Sequence, residues 1–238
     1  MDSLAFLGRV PPGDLLAVAL IVGFWLFSGW LIEHPPKRRP SVTVLMQSYR
    51  QDWMRTFVTR VPRIFDATLI DSHRQGTAFF TSASMIAIGG GLALIGNSAT
   101  MQEIAADLPL DTGRIEPALK LLLPVMLMAN ALLKFIWAHR LFGYCSILMA
   151  AVPNDPEDPG AYPRAAQAAE INITAARSYN RGLHSVYFAL ASLAWLFGPG
   201  ALIAAALIAL AVLMRREFWS HSRAVILAGD QPPPTAEP

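Results

Sequence analysis

Lys134 and Asn130 are the residues of this 238-residue chain best placed to act on a charged molecule, because both lie inside an apolar run. That run is Leu119 to Leu141, LKLLLPVMLMANALLKFIWAHRL. A hydrocarbon core about 30 Å thick is crossed by about 20 residues of helix, so the run is long enough. An ammonium within it is costly unless water or a negative group lies beside it. On a helix Leu123, Asn130, Lys134 and Trp137 share one face, and His139 takes the opposite one. The apolar parts of the spans contain no Asp or Glu. Lys134 must therefore snorkel to the boundary, lose its proton, or meet water, a lipid phosphate or a passing anion.

Other polar residues gather at the basic ends of neighbouring runs. Asp66, His73, Thr77 and Ser84 share a helical face, with Thr81 close by. Arg74, Arg140, Arg177, Asn180, Arg181 and His184 complete a vestibule from which Thr77, Ser84, Lys134 and Asn130 lead inward. His73, His139 and His184 at one level invite a metal or haem reading. Against it, no H-x-x-x-H pair occurs, no carboxylate lies three or four residues from His139, and the arginines repel a cation. No metal site and no cofactor are expected.

The single cysteine, Cys145, excludes an internal disulfide and thiolate metal sites. Nothing resembles a nucleophile elbow, a phosphate-binding glycine loop or a metalloprotease helix, so no enzyme is expected. Gly89, Gly90 and Gly91 lie inside a span, where they suit close helix contact. Basic residues are spread along amphipathic helices, and nucleic acid is not an expected partner.

The elements that must carry these residues are helices. Of the residues 54% are hydrophobic and 15% charged, against about 25% charged in soluble domains. The class is an all-α integral membrane protein. Its first span, Leu15 to Ile32, ends in Glu33-His34-Pro35-Pro36 and reads as a retained anchor. Lys37, Arg38, Arg39, Arg50, Arg55, Arg60, Arg63 and Arg74 follow, which puts that loop in the cytoplasm and the N-terminus outside.

Residues 41–61 carry Met46, Tyr49, Trp53 and Phe57 at helical spacing, with Arg50, Arg55 and Arg60 largely elsewhere. They read as an amphipathic helix on the membrane surface or against neighbouring helices. The second span covers residues 76–95 after Pro62 starts a new helix. An acidic external loop with Glu103, Asp107, Asp111 and Glu116 leads to the third span. Pro153 to Pro163 is a break, and a fourth long helix begins near Pro163.

Gly198-Pro199-Gly200 then interrupts the apolar run. Either one kinked helix crosses once, giving four main spans with the last one broken, or a tight hairpin makes five. Arg215, Arg216 and Arg223 favour the hairpin, and the shortness of the apolar segment favours four. Residues 1–226 form one helical domain with cytoplasmic extensions, and residues 227–238 form a disordered tail.

The stretch Asn172 to Pro199, with Arg-Ser-Tyr-Asn-Arg-Gly at 177–182, resembles the signature of the bacterial and plant membrane proteins grouped as domain of unknown function 599. Arg-Ile-Phe-Asp at 63–66 and Thr-Ala-Phe-Phe-Thr-Ser at 77–82 are similar too. The resemblance spans about residues 15 to 220 and implies a multi-span protein with no assigned catalytic residues. The residues themselves point to an oligomeric channel or passive transporter of the bacterial inner membrane, for an anion rather than a cation. The rival readings are a lipid-interacting or scaffold protein and a haem- or metal-binding one. Membrane lipids, a small ion and further copies of the chain are the expected partners.

Overall fold

A computed structural model describes residues 11–97 and 115–229. Asp2, Arg9, most of the expected acidic loop and the tail from residue 230 lie outside the described residues. Each apolar run becomes a helix: α1 (Pro12–Glu33), α3 (Ile64–Gly96), and a short α4 (Pro117–Lys120) leading into α5 (Leu122–Ala150). By length and composition these three units could each cross a membrane. Between α1 and α3 runs α2 (Val42–Thr59). After α5 come α6 (Ala161–Ser192), a 3-10 turn (Leu193–Phe197), α7 (Pro199–Phe218) and α8 (His221–Ala228). Among the described residues there is no strand. Leu227 and Ala228, which the sequence reading assigns to the tail, belong to α8.

The antiparallel pair α5 and α6 is the spine. The Ser178 hydroxyl donates to the Lys134 carbonyl at 2.9 Å, and Cys145 lies buried against Ala168 and Asn172. α3 leans on the other side of α5. Arg63 donates to the carbonyls of Val152 and Pro153, and at the far end a Cβ on Gly91 would come within 2.6 Å of Val125. Of the three glycines, only Gly91 makes that close contact; Gly89 and Gly90 face open space. Asp66, Ile70, Thr77 and Ser84 form the buried stripe of α3, so its polar face does turn inward. Phe79, Ile86 and Leu92 are exposed, as suits a helix with lipid on its outer side.

α2 folds onto protein. Ser41 caps it by accepting from the Val44 amide, while its own hydroxyl donates to the Ile32 carbonyl. Met54, Phe57 and Val58 are buried with Ile70, Phe142, Cys145 and Met149. Met46 and Tyr49, expected on the apolar face, are exposed, and Arg50 turns inward to donate to the Asn172 side chain. The neighbours, rather than the greasiest stripe, decide which side faces in.

α1 runs antiparallel to the second half of α6. Asp14 accepts from the Trp195 indole at 2.7 Å at one end, and Glu33 pairs with Arg181 at the other. At Gly198 the backbone takes φ 108° and ψ 169°, which a side chain would strain. The chain reverses there and does not continue as one kinked helix. α7 starts with Pro199 against Gly13 and ends with Arg216 on the Tyr187 hydroxyl and Glu217 on Thr43. The hairpin geometry fits because the helix continues past its arginines to Phe218, reaching 20 residues or about 30 Å. Gly198→Ala is expected to lower stability by about 1–3 kcal/mol, read as the thermal midpoint of detergent-purified protein. An unchanged midpoint would show that the turn relaxes at no cost.

Candidate functional site

The Arg-Ser-Tyr-Asn-Arg-Gly segment divides by task. Ser178, Tyr179 and Gly182 face α5. Ser178 anchors the Lys134 carbonyl, Tyr179 packs its ring on Phe80 and Phe135, and Gly182 lets the Phe135 ring lie directly on the α6 backbone. Arg177, Asn180 and Arg181 point the other way, into space between α1, α2, α6 and α7.

An ion pair separates that space from a second one, lined by α1, α5 and α6. Arg181 donates from two nitrogens to both Glu33 oxygens, each at 2.5 Å. On one side lies a groove of about 370 Å³, open to the outside of the bundle, where Asn130 and Lys134 meet Arg181 and His184. Trp25, Leu26 and Trp30 wall it, the last two 58% exposed. No described residue makes an ion pair or hydrogen bond with the Lys134 ammonium. On the other side lies a crevice whose two pockets, about 140 and 260 Å³, share Thr43, Arg177, Asn180 and Glu217. Arg177 is half-buried and has no described partner.

The walls behind the ion pair are tied down. Ser28 has one hydroxyl proton and donates it to the Phe24 carbonyl. The same hydroxyl oxygen lies 2.8 Å from Nε2 of His184, so the two side chains are hydrogen-bonded. The Trp25 indole donates to Ser185, and the Glu217 carboxylate accepts from both the amide and the hydroxyl of Thr43. Arg50, on α2 and lining the crevice, has its guanidinium pKa pushed below the ordinary value by burial.

Of the expected vestibule, Arg177, Asn180, Arg181 and His184 come together here, with Lys134 and Asn130 across the ion pair. The other residues go elsewhere. Asp66 is fully buried and accepts from the Trp53 indole at 2.7 Å and from Arg60 at 2.5 Å. The His73 ring stacks on Trp53 and lies tilted against Phe142. Arg74 lines a separate cavity of about 380 Å³ with Arg63 and Asn154. Arg140 donates to the exposed Tyr144 hydroxyl, and Trp137 faces outward, off the groove. Thr77 and Ser84 do not open onto the groove: Thr77 bonds the Arg74 carbonyl and His139, and Ser84 the Phe80 carbonyl.

Thr43 and Glu217 were not singled out by sequence, and Glu33 and Arg216 entered only as the end of a span and as a topology signal. Glu33 stands one residue beyond an apolar block, so a search for carboxylates within the spans passes over it. Among the described residues no group of three His, Cys, Asp or Glu side chains could hold a metal ion. A family model described as protein of unknown function, DUF599, matches residues 16–222. No curated protein and no solved structure matches the chain.

Proposed function

The chain belongs to that family, which comes with no assigned activity, and from the geometry we propose that it is an integral membrane protein that binds acidic phospholipid head groups. The binding place is the groove between α1 and α5. The observation that carries this reading is the unpartnered Lys134 ammonium, level with Glu33 and Arg181, in a laterally open groove walled by two tryptophans. Tryptophan rings favour the membrane–water boundary, and a cation there attracts anionic head groups by about 1 kcal/mol.

A boundary drawn through Glu33, Lys134 and Arg181 suits every helix. Beyond it α1 extends back to Pro12 for about 30 Å, and Lys134 to Pro117 rises about 26 Å. The hairpin α6–α7 adds two crossings of similar height, for five in all. Lys134 then sits at the edge of the hydrocarbon, where snorkelling is short. α2 and the facing ends of α3, α5 and α6 form a helical extension on the side of Lys37, Arg38 and Arg39. By the positive-inside rule that side is the cytoplasm and the N-terminus is outside, in the inner membrane of a bacterium.

Purified wild-type protein is expected to retain acidic phospholipid, measured as lipid phosphorus per chain. Lys134→Ala should retain at least threefold less, with the fold unchanged. Equal retention would remove the proposal. The transport reading draws on the same open groove, since a second copy laid over it would enclose Asn130 and Lys134 as a path. Anion flux in proteoliposomes that is abolished by Lys134→Ala, with lipid retention unaltered, would favour that oligomeric channel instead.

A further inference from the structure

We propose that the crevice on the far side of the Glu33–Arg181 pair is a binding site for a phosphate group, with Arg177 as its principal contact. This site is separate from the lipid groove, and the argument for it stands without that reading. Arg177 is half-buried on α6, faces both crevice pockets and meets no partner among the described residues. A guanidinium held partly out of water and left unpaired is costly, and a bound oxyanion would offset that cost.

The other charges are mostly committed. Glu33 is held by Arg181, and Glu217 is held by the first turn of α2 through the Thr43 amide and hydroxyl. Arg50 is bonded to Asn172, and Arg216 to the Tyr187 hydroxyl. Four arginines thus face two glutamates around the crevice, a surplus of two positive charges. A phosphate monoester carries about −1.5 to −2 at neutral pH, which fits that surplus better than a monoanion does. Its oxygens suit the planar fork of Arg177, and the Asn180 amide, which spends one N–H on Thr43, has a second to donate at the same opening. Arg177 lies one helical turn from Arg181 on the side of α2, away from the apolar segments, which favours a phosphate carried by a soluble molecule.

The test uses full-length protein in delipidating detergent and radiolabelled inorganic phosphate in equilibrium dialysis. One saturable site per chain is expected. Arg177→Gln should weaken it at least tenfold, and Arg177→Lys should weaken it less. Sulfate should compete, and chloride at equal ionic strength should not. Arg177 makes no bond within the described fold, so Arg177→Gln should keep the wild-type thermal midpoint.

A second arm counts tightly held phospholipid phosphorus before dialysis. If that phosphorus blocks the site and is lost in Arg177→Gln, the phosphate belongs to a head group and the site still stands. No Arg177-dependent phosphate in either arm, or equal competition by chloride, would overturn the proposal. Loss of lipid in Lys134→Ala alone speaks only to the groove, so the two failures are distinguishable.

Discussion

Replacing Gly182 by leucine should leave little folded protein. A Cβ at this position would lie 2.5, 2.8 and 2.9 Å from three carbons of the Phe135 ring. Flexible side chains can retreat from such contacts, but Phe135 cannot. It is fully buried, with Phe80 stacked 5.3 Å away and Tyr179 at 5.6 Å. Alanine gives the milder test, because two effects oppose each other. It removes the glycine penalty within a helix, about 1 kcal/mol, and adds overpacking of about 1–3 kcal/mol. Here the overpacking side wins, since the contact falls on a ring with no free side. Gly182→Ala should therefore lower the thermal midpoint, and Gly182→Leu should shift most protein into aggregate on size exclusion. Adding Phe135→Leu should recover part of the loss by making room. A double variant no better than Gly182→Ala would mean that the ring is not the obstacle.

The second large effect is expected at Asp66, where alanine should cost about 3 kcal/mol in thermal or denaturant unfolding. Breaking a buried charged pair costs about 3–5 kcal/mol, because the partners are left without acceptors. The lower figure applies, since the Arg60 side chain is 30% exposed and can turn to water. The Trp53 indole cannot do so as readily, and it would lose its 2.7 Å acceptor. Asp66→Asn keeps an oxygen for Trp53 and gives up the charge, so it should cost about half as much. Equal stability of the alanine variant and the wild type would show that α2 does not depend on this tie. Both substitutions leave Lys134 and Arg177 untouched, which makes them controls for binding experiments.

The helices were legible because long uncharged runs leave the backbone few alternatives. Their depth was harder to read. The apolar run that holds Lys134 ends at Leu141 by sequence, yet α5 continues through Phe142, Cys145 and Met149 to Ala150. Those residues are apolar because α2 and α6 cover them, and hydropathy cannot tell protein from lipid. Where the hydrocarbon would end along α5 is therefore not given by hydropathy, and the proposed boundary rests on Lys134 lying beside Glu33 and Arg181. The same ambiguity hid the inward face of α2, where Arg50 is accepted only because Asn172, 122 residues later, supplies the oxygen.

For the vestibule, Arg177, Asn180, Arg181 and His184 could be grouped by spacing along one helix. Asp66 and His73 could not be excluded from it, because separating them needs the position of Trp53. The turn at Gly198 stayed open for a related reason. Counting apolar residues alone shortened α7, which in fact carries its arginines as its last helical turn.

On the five-span reading proposed above, the reversal at Gly198 also decides what shares a compartment. Arg223 donates to the Pro40 carbonyl, and Tyr49 to the Ile226 carbonyl, so α8 rests on the linker after α1 and on α2. A reporter enzyme fused behind Ala228 should meet the same solution as one inserted between Glu33 and Ser41. A fusion ahead of Pro12 should meet the opposite one. On that reading, partners recruited by a segment fused at one end would be kept apart, by the sheet of lipid, from those recruited at the other.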